Sequence, residues 1–154
     1  MKKLNISLFL TAAASFYLNA QSLKSPDGKF EMNFQLKNGV PFYNLKYQGK
    51  TVVEDSKLGL RLLRDGDIQF ASEIENKDQK GKDLSEGFTK TAEKFDSKNE
   101  SWNPIMGEKK SYVNHYNELA VTLNQDVNDR HIVLKFRLFN DGLGFRYEFP
   151  KQKN

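Results

Sequence analysis

The most constraining feature of this chain is an alternation of apolar and polar side chains at period two in its second half. Such alternation is typical of a β-strand that buries one face and exposes the other. A strand of this kind needs a second layer to cover its apolar face, so the pattern favours a layered β-fold over a helical one. The alternating apolar positions are Leu119, Val121, Leu123, Ile132, Leu134, Phe136 and Leu138.

The first half repeats the pattern in shorter runs. Residues 30–36 alternate, and Asn38-Gly39 follows them as the strongest short hairpin signal, because both residues tolerate positive φ. Residues 42–47 form the next run, and the β-branched residues 51–53 follow a second turn. The sequence therefore predicts a three-stranded meander over residues 30–53.

The remaining segments complete an all-β prediction. Leucines at alternate positions predict a strand over 58–62 with a return at 68–70. Residues 71–100 are polar and predict long loops around one or two irregular strands, either a functional loop or a surface insertion. Strands are predicted again over 112–123, 132–139 and 145–149. Short turns and the absence of an amphipathic helical stripe favour an antiparallel β-sandwich.

The N-terminus has the features of an export signal. Lys2 and Lys3 precede an apolar run that is too short to span a bilayer comfortably, and Ala20 is a suitable residue before a cleavage site. We expect a signal peptide over residues 1–20, a β-sandwich domain over 22–150 and a polar tail over 151–154. The mature protein is then periplasmic or secreted and does not enter a membrane.

Charge and cysteine content exclude several functions. The net charge is +4, and removal of residues 1–20 leaves 22 basic and 20 acidic residues, or +2. Basic and acidic residues interleave along the chain, which argues against nucleic-acid binding. The chain has no Cys, so thiol catalysis and thiolate metal sites are excluded. The two histidines, His115 and His131, lie too far apart in sequence to suggest a zinc motif.

Candidate sugar-contacting residues cluster in two segments. Trp102, Glu108, His115 and Asn117 are residue types that stack on sugar rings or bridge hydroxyl groups. A structural interpretation stays open, in which Trp102 closes the end of the sandwich and Asn117 fixes a turn. The carboxylates near ordered segments, including Glu118, Asp141 and Glu148, have no evident catalytic partner, so a structural role is the simpler interpretation.

Five segments together resemble the N-terminal domain of glycoside hydrolase family 97, and the last of them is the most specific. The resemblance implies an exported α-glucosidase or α-galactosidase with three parts: a β-super-sandwich of the galactose-mutarotase-like type, a catalytic barrel and a small β-domain. It also implies a calcium ion that glutamates hold beside the sugar in the full-length enzyme. The segments are 25–29, 39–45, 102–108, 114–119 and 136–149.

The resemblance covers residues 22–150 and includes no counterpart of the family's catalytic carboxylates or calcium ligands. We therefore expect an incomplete, non-catalytic β-sandwich that packs on the missing barrel and contributes to binding of an α-linked oligosaccharide, with no cofactor in this chain. Two alternatives remain: a freestanding periplasmic carbohydrate-binding module, and a nonfunctional remnant.

Overall fold

The computed structural model describes residues 21–62, 83–106 and 108–152. Within them the chain forms two four-stranded antiparallel sheets, with strand orders β1-β2-β3-β4 and β5-β6-β7-β8. This architecture confirms the predicted all-β antiparallel sandwich. The strands are β1 (Gln21–Lys24), β2 (Phe30–Lys37), β3 (Val40–Tyr47), β4 (Lys50–Lys57), β5 (Phe88–Trp102), β6 (Tyr112–Gln125), β7 (Arg130–Phe139) and β8 (Leu143–Glu148).

The predicted meander over residues 30–53 is confirmed as β2, β3 and β4. Asn38 and Gly39 connect β2 to β3 with φ values of 50° and 77°. Two successive positive φ angles are the geometry of a tight hairpin whose twist matches that of its strands. The sheet also contains β1, which pairs with β2 from Gln21↔Phe34 to Lys24↔Glu31.

The second sheet is built on the strongly alternating strands. In β6 and β7 the apolar residues face inwards, and Leu119 lies opposite Phe136. β8 pairs with the other edge of β7 and places Phe145 opposite Phe136. The short connection between β6 and β7 ends at Asp129, which takes up the left-handed conformation that such a turn requires.

The core lies between the two sheets. The rings of Phe34 in β2 and Phe136 in β7 are 6.0 Å apart, and both side chains are fully buried. Polar contacts also join the layers: the backbone amide of Phe88 donates to the carbonyl oxygen of Gly39 at 2.9 Å. The side chain of Asn117 donates to the carbonyl oxygen of Lys24 at 2.8 Å. The buried apolar cluster contains Leu23, Met32, Phe34, Leu45, Leu58, Leu84, Phe88, Leu119, Val121, Leu123, Ile132, Leu134, Phe136 and Leu138.

The prediction of a strand over residues 58–62 is wrong. Leu58 is buried in the core, but Leu60 makes only an isolated bridge with Leu84. Gly59 lies so close to the backbone of Ser85 that a Cβ atom would come within 2.8 Å of it. Leu58 and Leu60 therefore pack beside a crossing segment and do not belong to a sheet, and Leu62 is exposed. The predicted return strand at 68–70 lies outside the described residues.

Residues 71–100 were predicted to form long loops around one or two irregular strands, and from Phe88 onwards the structure has one long strand with a bulge and no loop. β5 runs from Phe88 to Trp102 and pairs with β6 along its whole length, with a bulge between Lys90 and Ala92. Nearly all of its side chains are exposed on both faces, so no alternation marks it in the sequence. This strand is stabilised by backbone pairing with β6 and not by burial of one of its faces. The part of the prediction over 71–82 lies outside the described residues.

Across residues 21–62, 83–106 and 108–152, the structure contains no helix of the length and hydropathy needed to cross a membrane.

Candidate functional site

A two-stranded ribbon projects beyond the second sheet. Pairing between β6 and β7 reaches only Tyr116↔Phe139, whereas pairing between β5 and β6 continues to Trp102↔Tyr112. Residues 99–106 and 108–115 therefore extend past β7 as a hairpin, which we call the ribbon. The length of β5 and β6 produces this projection, because the strands that flank them in the sandwich are shorter.

The tip of the ribbon exposes apolar side chains. The rings of Trp102 and Tyr112 stack with centroids 5.7 Å apart and an interplanar angle of 17°. Trp102 is 51% exposed, and Ile105 and Met106 in the connecting loop are almost completely exposed. Val113, one residue after Tyr112, is exposed on the opposite face of the ribbon. Exposed apolar groups concentrated at one projecting end are typical of a contact surface.

The four predicted site residues all lie on or beside this ribbon, but they do not converge on one point. Trp102 ends β5, and Glu108 lies exposed in the loop at the tip. His115 is half-buried opposite Asn99, and Asn117 lies opposite Ser97. The step from Tyr112 to Asn117 spans about 17 Å along the strand. Trp102 lies on the opposite face of the ribbon from His115 and Asn117. It pairs with Tyr112, and side chains at odd and even positions of β6 point to opposite faces.

Asn117 lines a depression of about 700 Å³ between β1 and β5. Leu23 and Phe95 contribute apolar surface to it, and the Phe95 ring is 51% exposed although it belongs to the inner face of its sheet. Because Asn117 also donates to the carbonyl oxygen of Lys24, its amide holds β1 against the second sheet at this point. The structure thus gives Asn117 a structural contact at the rim of this depression.

The outer face of the second sheet contains a second depression, of about 350 Å³, which two carboxylates line. Glu118 accepts a hydrogen bond from Arg137 Nε at 2.6 Å. The backbone amide of Ser97 and the charge of Lys94 lower the pKa of Asp96. A glycosidase acid must keep its proton near neutral pH, which requires a raised pKa. The lowered pKa of Asp96 is therefore the opposite of what general acid catalysis needs.

No group of three or more His, Asp or Glu side chains that could hold a metal ion occurs in the described part of the chain. The calcium ion implied for the full-length family enzyme thus has no ligand set among these residues.

Three contributors to these surfaces were not predicted from the sequence: Tyr112, Phe95 and Arg137. Tyr112 matters because the hairpin register places it against Trp102. Phe95 belongs to β5, whose polar sequence was not recognised as a strand. Arg137 covers the ring of Tyr116, with its guanidinium carbon 4.5 Å from the ring centroid. An aromatic residue at each end of the 103–111 connection is the one sequence signal that could have identified the Trp102–Tyr112 pair.

The fold and these surfaces define a class: a two-sheet antiparallel β-sandwich domain with a projecting apolar hairpin. The comparison with family models identifies the family to which this domain belongs. The chain belongs to the family described as "Glycosyl-hydrolase 97 N-terminal", whose model matches residues 23–154. It is a non-catalytic domain type of that family of hydrolases.

Solved structures agree with this assignment. The chain is similar to a glycoside hydrolase family 97 enzyme from Pseudoalteromonas sp. strain K8, solved in complex with panose as a variant and in complex with acarbose, at 27% identity and a TM-score of 0.70. The fold is also that of a β-arabinopyranosidase, at 22% identity and a TM-score of 0.68. Each match covers 86% of this chain but only 18% of the solved one. The chain thus spans less than a fifth of the length of these relatives.

Proposed function

We propose that this domain packs on the catalytic barrel of a family 97 glycoside hydrolase that acts on α-glycosidic bonds, and that its ribbon tip forms one wall of the sugar site. The single observation that carries the proposal is the exposed apolar tip, with Trp102 stacked on Tyr112 beyond the end of the sandwich. The similarity to enzymes solved with panose and acarbose supports an α-linked oligosaccharide as the ligand.

The residues of the tip suit such a contact physically. Aromatic side chains and Met are enriched in the buried centres of protein interfaces, whereas large apolar groups are costly to leave in water. Trp102 and Tyr112 additionally present ring faces, which pack well on the C–H faces of sugars. A contact at the tip would cover Ile105 and Met106, which the sandwich itself leaves uncovered.

The polar candidates complete the proposed wall. Glu108 lies at the exposed tip, where a carboxylate can accept hydrogen bonds from sugar hydroxyls. His115 lies further back on the inner face, in reach of a partner that covers the ribbon from that side. Asn117 has a smaller part in this proposal, because its amide already binds the carbonyl oxygen of Lys24.

Binding in trans tests the docking proposal. The chain is mixed with the barrel portion of a family 97 enzyme from which the N-terminal domain has been removed, and binding is followed through the fluorescence of Trp102, the only tryptophan in the chain. Replacement of Met106 by Ser should weaken binding at least about tenfold, since a central apolar contact is worth more than 1 kcal/mol. Phe149→Ser, an exposed apolar site away from the ribbon, is the matched control. Equal affinities of both variants and the parent would refute the proposal.

A freestanding carbohydrate-binding module is a second candidate, and the exposed Trp102–Tyr112 stack favours it as a ready aromatic platform. Calorimetric titration with maltooligosaccharides separates the two candidates. Saturable binding by the monomeric domain alone, abolished by Trp102→Ala, supports the module. Binding of sugar only in the presence of the barrel supports the docking domain.

We also propose that the protein is exported. The predicted cleavage site after Ala20 lies directly before Gln21, where β1 begins. Cleavage there would leave the sandwich intact. Mass spectrometry of the protein recovered from the periplasm or medium should give a new N-terminus at Gln21, and an intact Met1 would contradict export.

A further inference from the structure

The outer edge of β5 has the properties of a specific interaction surface. β5 is the terminal strand of its sheet, and in the described part of the chain no strand pairs with its free edge. Exposed edge strands offer unpaired backbone groups to another strand and are commonly blocked by charges. Here the charged side chains alternate in sign on one face of the strand: Lys94, Asp96, Lys98 and Glu100.

This alternation makes the strand complementary to itself. In an antiparallel arrangement with Ser97 opposite Ser97 of the second copy, Lys94 would lie opposite Glu100 and Asp96 opposite Lys98. The two-fold symmetry repeats both pairs, which gives four cross-strand ion pairs on one face. Opposite charges directly across a strand pair are stabilising, and like charges are destabilising.

The same charges exclude the neighbouring registers. A shift of two residues in one direction places Asp96 opposite Asp96 and Lys94 opposite Lys98. A shift of two in the other direction places Lys98 opposite Lys98 and Asp96 opposite Glu100. A shift by one residue would mix the two faces of the sheet. The sequence of β5 therefore selects one register of self-pairing and opposes its close alternatives.

Side chains along the edge also suit this register. Ser97 at the centre is small, and Ala92 would lie opposite Trp102 of the second copy, where its methyl group leaves room for the indole ring. The four charged side chains are all at least 43% exposed, so they are accessible to a second copy. Their present ion pairs join neighbours on the same strand, Lys94–Asp96 at 3.5 Å and Lys98–Glu100 at 2.9 Å, and Glu100 also accepts a hydrogen bond from Asn114 on β6 at 2.8 Å.

We propose that the partner of this edge is a second copy of the chain, joined through antiparallel β5–β5 pairing about Ser97 into one continuous eight-stranded sheet. A symmetric contact of this type is self-complementary and closes at the dimer. The proposal goes beyond the docking function and does not depend on it, since it uses the free edge of β5 and not the apolar loop of the ribbon.

Charge exchange provides the test. The full chain is compared with an acidic-edge variant, Lys94→Glu with Lys98→Glu, and a basic-edge variant, Asp96→Lys with Glu100→Lys, by sedimentation velocity. The parent should dimerise, and each variant alone should show a dimer dissociation constant raised at least about tenfold. An equimolar mixture of the two variants should form a heterodimer, because it restores all four pairs. High salt should weaken the parent dimer.

The outcomes are distinct. A parent that stays monomeric at every accessible concentration overturns the proposal, and so do variants that dimerise as well as the parent, because their contact must then lie elsewhere. Circular dichroism establishes that each variant is folded. Recovery of the dimer in the mixture cannot arise from misfolding of either variant. Binding to the barrel is measured separately with Met106→Ser, so either proposal can fail without the other.

Discussion

Arg137 lies over the ring of Tyr116, with its guanidinium carbon 4.5 Å from the ring centroid. The same guanidinium donates from Nε to Glu118 at 2.6 Å, so that one side chain covers an aromatic ring and neutralises a carboxylate that is largely shielded from water. The ring of Phe139 also contacts Tyr116, with the two centroids 5.2 Å apart. This contact organises the outer face of the second sheet.

Replacement of Arg137 by Leu should lower the free energy of unfolding by about 1–3 kcal/mol, because it leaves Glu118 without its close donor and removes the cation from the ring. Arg146→Leu is the matched control on the same face, since Arg146 pairs with the more exposed Glu148. It should change the free energy of unfolding by less than about 1 kcal/mol. Urea denaturation followed by circular dichroism measures the free energy of unfolding of both variants. Equal decreases would contradict the stabilising role of Arg137.

Phe136→Ala should be among the most destabilising single substitutions in the core. Phe136 is fully buried and approaches the rings of Phe34, Tyr43 and Phe145, so its removal opens a cavity between the sheets. Loss of a buried phenylalanine typically costs about 3–5 kcal/mol. Phe149→Ala, at an exposed position, is the control and should cost far less. Thermal unfolding would distinguish the two by a large difference in Tm.

The hairpin glycines offer a matched pair of substitutions. Gly39 and Gly49 have nearly the same conformation, with φ of 77° and 78°. A Cβ at Gly39 would lie 3.1 Å from the amide nitrogen of Phe88, whereas at Gly49 it would meet nothing within 4 Å. Both Gly→Ala variants therefore share the backbone strain of about 1–2 kcal/mol. Gly39→Ala should lower the free energy of unfolding more than Gly49→Ala does, because it also disturbs the hydrogen bond from Phe88 that joins the sheets. Equal free energies of unfolding would show that this contact contributes little.

The alternation of buried and exposed side chains explains which strands could be predicted. β2, β6 and β7 each bury one face, so their sequences carry the period directly. β1 is too short for a period to appear, and β5 is exposed on both faces, so its polar sequence resembles that of a loop. β5 is held in the sheet by its backbone hydrogen bonds with β6, and the amino-acid composition of β5 does not indicate that pairing.

Candidate residues for a site could be chosen from the sequence, but their spatial arrangement could not. Trp102 stands out in the sequence as a lone tryptophan two residues before Pro104, and the structure places it at an exposed tip. Its stacking on Tyr112 depends on the register of the hairpin across residues 103–111, which local sequence does not determine. The separation of Asn117 from Trp102 follows from the same register, since parity along the strand assigns them to opposite faces.

Stability should fall at acidic pH in part through Asp27. The hydroxyl of Ser25 donates to its carboxylate at 2.7 Å, and this bond, with the backbone amide and the ammonium group of Lys29, lowers the pKa of Asp27 from its ordinary value of 3.8. Because the folded pKa is the lower one, the contribution is present above pH 3.8 and is lost as the pH falls through the folded value. The difference in free energy of unfolding between the parent and Asp27→Asn should therefore be larger at neutral pH than near pH 2. A constant difference from pH 7 to pH 2 would exclude this role.

The domain alone should not hydrolyse an aryl α-glucoside or α-galactoside. Hydrolysis requires two carboxyl groups on opposite sides of the bond, one of which must hold a proton near neutral pH. Two carboxylates share a depression on the described surface, Asp96 and Glu118. Glu118 accepts a hydrogen bond from Arg137, and the backbone amide of Ser97 and the charge of Lys94 lower the pKa of Asp96, so Asp96 does not hold a proton near neutral pH. Release of p-nitrophenol by the purified chain should match that of the buffer, and addition of the barrel portion should be needed for turnover. To exclude a contaminating glycosidase, the double variant Asp96→Asn with Glu118→Gln is assayed in parallel. Activity in the parent that the double variant lacks would overturn the assignment of a non-catalytic domain.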